Sequence, residues 1–275
     1  IATVLAALLA AQGAGLVRRQ ALFAIAAAPA LYVSLHMVQV GVFCAALLWA
    51  GLHHAARRPI LAGLALAVLT MKPQYGVLAP VFLLALGRWR AIGATIAWTG
   101  AMLLATRALF GAEPFAAFVA SIGVVHAGYA DMLHPGSVTV VQTIGKLGGP
   151  DALRVAAAFA VGAACAIAVW RAARARPEAI GLALVLTLVA SPSAWTYDFY
   201  FATLGLLMIA AARPRWPASL QLAAAAVWIA PTGPWLLNGA GGEIFPGLAL
   251  LVAAPLLISL VQGARIAKPA APAVA

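Results

Sequence analysis

One lysine lies inside an apolar stretch of the chain, where a charge is costly. Lys72 is followed by Pro73 and is flanked by the apolar segments 59–71 and 75–88. A lysine at the centre of a membrane helix costs about 2.5–3.5 kcal/mol, so something must offset that cost. A phosphate is a natural partner for an ammonium point charge, and snorkelling to the interface is the structural alternative. We therefore predict that Lys72 binds a phosphate.

Asp198 is the acidic residue whose surroundings best suit chemistry. It ends the polar and aromatic stretch 191–198, which begins Ser191-Pro192 and separates two apolar arms. A carboxylate at this position could act as a general base, bind a sugar hydroxyl or neutralise Lys72. It could equally be a solvated loop carboxylate beside a belt of aromatic residues. We take Asp198 as the catalytic candidate within this chain.

Other polar and aromatic side chains occupy breaks in the apolar pattern. Gln39 could touch a substrate or join two helices by a hydrogen bond, and Arg107 could be a second phosphate ligand or could snorkel. The full set of predicted substrate-binding residues is Lys72, Gln39, His36, Gln74, Tyr75, Trp195, Tyr197 and Arg107. No P-loop, GxGxxG or HExxH motif is present, and no metal or cofactor is predicted.

The composition indicates a membrane protein. The chain of 275 residues is 65% hydrophobic and 8% charged, whereas soluble domains carry about 25% charged residues. The net charge of +11 sits at the ends of apolar segments rather than on one face, which argues against a nucleic-acid partner. Arginines that lie beside anionic membrane lipids account better for the positive net charge.

Basic and acidic residues separate along the chain in a way that predicts topology. Six basic clusters are spaced by 37, 29, 80, 36 and 49 residues, and such clusters concentrate on the cytoplasmic side of membrane spans. Five of the six acidic residues then fall on the opposite side, and Glu178 alone breaks the pattern. The clusters are Arg18/Arg19, Arg57/Arg58, Arg88/Arg90, Arg171/Arg174/Arg176, Arg213/Arg215 and Arg265/Lys268.

The pattern predicts an all-α, polytopic integral membrane protein with about eleven transmembrane helices, because spanning segments must satisfy their own backbone hydrogen bonds. Residues 1–263 form one transmembrane domain with an outer loop at 112–150, and 264–275 form a disordered cytoplasmic tail. The chain starts inside an apolar run at Ile1, which favours a protein truncated at its N-terminus. The predicted spans are 1–16, 21–34, 37–54, 59–71, 75–88, 91–111, 152–171, 178–192, 197–212, 216–231 and 245–263.

Several short motifs, in order, resemble glycosyltransferase family 87. They are Gln39-Val40-Gly41, Ala55-Ala56-Arg57-Arg58-Pro59 with Ala62-Gly63, Met71-Lys72-Pro73-Gln74, Leu86-Gly87-Arg88-Trp89-Arg90-Ala91 and Ser191-Pro192-Ser193-Ala194-Trp195. The resemblance implies a GT-C-like fold in the bacterial cytoplasmic membrane. It also implies transfer of a hexose, mannose in the first instance, from a polyprenyl-phosphate carrier to a glycolipid or glycan acceptor on the outer, periplasmic face.

The chain departs from the family pattern at three points. Val38 replaces the glycine of the usual Gly-Gln pair, and Tyr197-Asp198 stands where many members carry histidine after the tryptophan. The resemblance also implies that the main catalytic carboxylate lies in a first outer loop, which would precede Ile1.

The alternative function is a transporter or flippase of a lipid-linked or anionic substrate, since broken helices facing a cavity also mark transporter sites.

Overall fold

The computed structural model describes residues 23, 26–121, 136–176, 178–213, 215–237 and 240–263. The predicted first span, 1–16, and the predicted tail, 264–275, lie outside these residues, as do the start of the span 21–34 and the middle of the outer loop.

The described residues are 81% helical, which confirms the all-α fold class. They contain no β-strand, only an isolated bridge between Ser137 and Trp195. Residues 113–121 are also helical, and single 3₁₀ turns occur at Pro73–Gly76, Thr196–Asp198 and Ala230–Thr232. The α-helices are α1 (Pro29–His36), α2 (Gly41–His54), α3 (Pro59–Leu69), α4 (Ala79–Ala85), α5 (Trp89–Phe110), α6 (Val140–Lys146), α7 (Asp151–Ala175), α8 (Ala179–Ala190), α9 (Tyr200–Ala212), α10 (Ala218–Ile229), α11 (Gly233–Leu236) and α12 (Ala240–Gly263).

Three of these helices are long and apolar enough to cross a membrane. They are α5, α7 and the segment Gly241–Gln262 of α12, with 22, 25 and 22 residues. At 1.5 Å per residue they span roughly 33–38 Å, against a hydrocarbon core of about 30 Å. Six other apolar helices are shorter. The structure is that of an all-α membrane protein, and the number of eleven spans stays a prediction.

The helices near the predicted site are shorter than the sequence pattern suggested. The predicted span 37–54 is helical only from Gly41, because residues 37–40 form a turn in which Val38 has a positive φ of 52°. The predicted span 75–88 begins with a 3₁₀ turn and is α-helical only over Ala79–Ala85. Pro73 and Pro80 account for the interruption, since each lacks a backbone N–H to donate and fixes its own φ.

Helices α8 and α9 form a tightly packed antiparallel hairpin. Gly181 and Gly205 lie at the crossing, where a Cβ on Gly205 would come within 2.5 Å of the Gly181 carbonyl oxygen. Small residues of this kind let helix backbones approach closely in membranes. At the open end of the hairpin Arg213 donates a hydrogen bond to Glu178. This pair explains why Glu178 departs from the charge segregation: it neutralises a basic cluster on the same side.

Contacts between basic residues and helix ends agree with the predicted charge segregation. Arg174 Nε donates to the carbonyl of Ala85 at 3.0 Å, three residues before Arg88. Arg176 donates to the carbonyl of Gln262 at 3.2 Å, just before the last predicted basic cluster. Helix ends that carry different basic clusters therefore meet at one end of the molecule.

Candidate functional site

Lys72 lies at a break between two short helices. It precedes the 3₁₀ turn Pro73–Gly76, and its own backbone is extended, with φ −132° and ψ 76°. The side chain is 21% exposed. The break therefore presents a partly accessible cation between α3 and α4.

Residues from two other breaks surround the Lys72 ammonium group. Gln39, in the turn before α2, accepts a hydrogen bond from Lys72 Nζ at 3.3 Å. Asp198 Oδ1 lies 3.9 Å from the same nitrogen. The rings of Tyr75 and Tyr197 have their centroids 5.7 and 5.1 Å away, within the range of a cation–π interaction. Three segments far apart in the sequence thus converge on one cation.

Asp198 is held rigidly and is fully buried. It ends the 3₁₀ turn Thr196–Asp198, and its Oδ2 accepts the backbone N–H of Trp195 at 3.0 Å. Its side chain is 0% exposed. Oδ1 receives no hydrogen bond of regular geometry from the described residues. The Lys72 ammonium group and the Tyr75 hydroxyl both face the carboxylate.

The N-terminus of α2 packs directly against Asp198. A Cβ built on Gly41 would lie 2.7 Å from the carbonyl oxygen of Tyr197 and 3.0 Å from Asp198 Oδ1. A side chain at this position would push the carboxylate away, so the site requires glycine. The positive end of the helix dipole favours a carboxylate at this position. The Gln39-Val40-Gly41 motif therefore contributes two residues to the site, although only Gln39 was predicted as one.

Tyr75 forms the floor beneath Lys72. It is completely buried, and its ring packs against that of Phe201 with 4.8 Å between centroids. Its hydroxyl faces the Asp198 carboxylate. Above the site, Trp195 and Tyr197 stack with nearly parallel rings 5.9 Å apart. Of the predicted aromatic residues, Tyr75 and Tyr197 therefore lie against the cation, and Trp195 stacks on Tyr197.

A segment of the outer loop closes over the same region, and sequence reasoning missed it. Backbone hydrogen bonds join Val138 N to Ala194 O at 2.9 Å and Thr196 N to Gly136 O at 3.0 Å. Lys146 Nζ donates to the carbonyls of Ser137, at 2.8 Å, and Glu243, at 3.1 Å. Burial lowers the pKa of Lys146, and Glu243 opposes that shift. Lys146 lies outside every basic cluster, which is the one sequence signal that could have identified it.

Three predicted residues stand apart from the Lys72 contacts. His36 is exposed at the end of α1, where its ring stacks on Tyr32. Gln74 is half-buried in the 3₁₀ turn, next to Tyr75. Arg107 is exposed near the end of α5 and makes no ion pair or side-chain hydrogen bond with the Lys72 cluster among the described residues. No group of three metal-ligating side chains occurs in the described part of the chain.

The fold and site define a membrane-integral protein that holds a cation, a carboxylate and aromatic rings where short helices break. The family model of glycosyltransferase family 87 matches residues 1–192, well over half of the chain. The chain therefore belongs to glycosyltransferase family 87 and is a membrane glycosyltransferase. The match covers Gln39, Lys72 and Tyr75 and ends before Trp195 and Asp198. No curated protein and no solved structure matches the chain significantly.

Proposed function

We propose that this glycosyltransferase moves a hexose, with mannose as the predicted sugar, from a polyprenyl-phosphate carrier to a glycolipid or glycan acceptor at the outer face of the bacterial cytoplasmic membrane. Family membership supports glycosyl transfer. The observation that carries the finer proposal is the Lys72 cation, which is 21% exposed among apolar helices and partly compensated by Asp198. Such a cation suits an anionic group that arrives within the membrane.

The depth of the site favours a donor that is itself a lipid. The four helices that lead from the basic end to the site, α2, α3, α8 and α9, have 14, 11, 12 and 13 residues. Their lengths are roughly 16–21 Å, well short of a hydrocarbon core of about 30 Å. With the basic ends at the cytoplasmic surface, Lys72 lies below the outer surface, where the phosphate of a lipid can reach it.

The proposed reaction places Lys72 at the leaving group. The acceptor oxygen forms a bond to the anomeric carbon while the bond from that carbon to the phosphate oxygen breaks. The electron pair of the broken bond stays with polyprenyl phosphate, and the acceptor proton passes to a general base. The phosphate charge grows from about −1 in the diester to between −1.5 and −2 in the released monoester. Lys72 therefore interacts more strongly with the departing group, which lowers the barrier.

The burial of Asp198 supports a role as the counter-ion of Lys72. A general base must come within about 2.6–3.2 Å of the hydroxyl that it deprotonates. Asp198 is fully enclosed, and one of its oxygens already accepts the Trp195 N–H. We favour the view that Asp198 and Gln39 hold Lys72 in position for the phosphate. The general-base role predicted from the sequence is the alternative, and it requires the turn 196–198 to open.

A donor comparison tests the proposal. The full-length protein, with any segment that precedes Ile1, is reconstituted in proteoliposomes. It is given polyprenyl-phosphate mannose, polyprenyl-phosphate glucose or GDP-mannose, together with a membrane glycolipid extract as acceptor. We expect transfer from the lipid-linked mannose and none from the nucleotide sugar. Transfer from GDP-mannose alone would contradict a lipid-linked donor, and preference for the glucose lipid would overturn the predicted sugar.

The outer-face location is tested separately by labelling. In a background with Cys44 and Cys165 replaced by alanine, single cysteines are introduced at Gly241 and Ala175, both of which are exposed. An impermeant thiol reagent added to intact spheroplasts should label position 241 and spare position 175. The reverse pattern would place the site on the cytoplasmic face.

A further inference from the structure

Residues 136–146 form a strap that joins the Asp198 turn to another helix. Two backbone hydrogen bonds, 2.9 and 3.0 Å long, pair its first residues with residues 194–196. At the centre of this pairing Ser137 lies opposite Trp195 in an antiparallel bridge. The strap is therefore bonded to the chain on both sides of Trp195, just before the turn that carries Asp198.

The other end of the strap packs against α12. The strap ends in helix α6, whose first turn is capped by Thr139, since its Oγ1 accepts the Gln142 N–H at 3.2 Å. Thr143, one turn further on, is buried, and a Cβ built on Gly247 of α12 would overlap its hydroxyl. The contact leaves no room for a methyl group at position 247. The strap therefore lies between the Asp198 turn and α12 and contacts both.

Lys146 connects the two ends of the strap. It lies in the last turn of α6, and its Nζ donates to Ser137 O at 2.8 Å and to Glu243 O at 3.1 Å. One ammonium group thus ties the start of the strap, opposite Trp195, to the first turns of α12. Hydrogen bonds from a charged donor are about twice as strong as neutral ones. Without this donor both carbonyls lose a partner, and the strap loses a link to α12.

A shift of the strap would reach Asp198 through Trp195. A Cβ on Gly136 would lie 3.1 Å from Trp195 Cε3, so the tryptophan ring rests directly on the strap. The Trp195 N–H donates to Asp198 Oδ2 at 3.0 Å, and Asp198 in turn pairs with Lys72. Each step is a direct contact, so the position of the strap affects the carboxylate that holds Lys72.

We propose that Lys146 is a positioning residue for glycosyl transfer, because it ties the strap to α12 and so holds Trp195 and Asp198 in place against Lys72. The kinetic part of this inference rests on the proposed function, since it takes Lys72 to stabilise the departing phosphate. A preorganised group must be held within about 0.5 Å of its productive position. A strap that moves lets Asp198 and Lys72 move with it, and stabilisation of the transition state falls.

The kinetics of two Lys146 variants test the proposal. Lys146→Met keeps a side chain of similar length without donors, and Lys146→Arg keeps a charged donor for the carbonyl oxygens. Glu178→Ala, which removes a charged hydrogen bond at the other end of the α8–α9 hairpin, is the control for lost stability. The full-length proteins are assayed in proteoliposomes with polyprenyl-phosphate mannose, and turnover is expressed per folded molecule.

We expect Lys146→Met to lower kcat and kcat/KM together by about 10–100-fold, the pattern of an interaction made only in the transition state. Lys146→Arg should recover most of the loss, and Glu178→Ala should keep the turnover of the parent. Unchanged turnover per folded molecule in Lys146→Met would make its role purely structural and overturn the proposal. A rise in the donor KM alone would also overturn it, by making Lys146 a ligand of the donor.

A methyl group between the strap and Trp195 tests the path of this effect. Gly136→Ala should lower kcat by about 3–10-fold, because the Trp195 ring must shift by a few tenths of an ångström. Gly100→Ala in α5 is the matched control, since a Cβ there meets nothing within 4 Å, and it should leave kcat unchanged. Equal responses of the two glycine variants would contradict transmission through Trp195.

Fluorine NMR of protein labelled with fluorotryptophan measures the same path without any donor. The Trp195 resonance is identified by its loss in Trp195→Phe. We expect it to shift in Lys146→Met and Gly136→Ala and to keep its position in Glu178→Ala. An unchanged resonance in Lys146→Met would overturn the proposal. Absence of transfer by the parent protein would instead refute the proposed function, and the fluorine shifts test the strap on its own.

Discussion

Two ion pairs at opposite ends of the α8–α9 hairpin have similar burial and different geometry. At the tip, Asp198 is 0% exposed and Lys72 21%, and at the base Glu178 is 4% exposed and Arg213 19%. Arg213 donates a hydrogen bond straight to Glu178. Lys72 Nζ lies 3.9 Å from Asp198 Oδ1. It also donates a hydrogen bond to Gln39 and lies over the rings of Tyr75 and Tyr197.

We propose that this difference separates a structural ion pair from one that serves a ligand. A cation in a short, charge-assisted hydrogen bond has its charge largely satisfied. The looser contacts around Lys72 leave room for a further anion, which can approach without first breaking a strong bond. On this proposal the base of the hairpin stabilises the fold, and the tip presents a charge to a ligand.

The largest effect is expected at the tip. Lys72→Ala should lower the rate of sugar transfer about 10²–10³-fold while leaving membrane insertion intact, because a preorganised charge at the leaving group is lost. Lys72→Arg should recover part of the activity, since a planar fork replaces a point charge. The exposed basic-end residue Arg90, changed to alanine, serves as the control. Near-normal turnover in Lys72→Ala would contradict a role in binding the phosphate and would show that the lysine only snorkels to the interface.

At the base the expected effect is on stability. Glu178→Ala removes the acceptor from Arg213 and should lower the free energy of unfolding by about 1.5–3 kcal/mol, the usual loss for a hydrogen bond to a charged group. Turnover per folded molecule should stay close to that of the parent. Thermal unfolding in detergent and transfer assays measure the two quantities. A large fall in turnover without a fall in stability would erase the contrast between the two pairs.

A smaller change tests how firmly the tip holds Asp198. Gly41→Ala places a methyl group against Tyr197 O and Asp198 Oδ1, so we expect a loss of about 1–3 kcal/mol in stability. Turnover should fall as well, because the carboxylate must move relative to Lys72. Gly162→Ala in α7 is the matched control, since a Cβ there meets nothing within 4 Å. It should be neutral or slightly stabilising. Equal stability and equal turnover in the two variants would show that the packing around Asp198 tolerates a methyl group at position 41.

Much of the site could be predicted because its members share a local signal. Lys72, Gln39 and Asp198 are each polar residues at a break in an apolar segment, and each break carries its own marker, such as Pro73 or Pro192. Charge segregation placed all three breaks on one side of the membrane. The structure brings Gln39 and Asp198 each into contact with the Lys72 ammonium group.

Other features depend on tertiary contacts that no local pattern encodes. Gly41 matters because the carbonyl of Tyr197 lies against it, more than 150 positions away in the chain. Lys146 binds two backbone carbonyls, which leave no mark in the sequence. Arg107, like Lys72, is a basic residue within an apolar segment, and the structure leaves it exposed on α5. Residue type shows that a charge needs a partner, and side-chain direction decides which partner it finds.

Binding of polyprenyl phosphate compared with uncharged polyprenol tests the central claim most directly. A charge-assisted hydrogen bond contributes about 1.5–3 kcal/mol, so the parent protein should prefer the phosphate by roughly 10–100-fold. Lys72→Met keeps a side chain of similar length without the charge and should lose most of that preference, with little change in polyprenol binding. A preference that survives in Lys72→Met would show that another residue holds the phosphate.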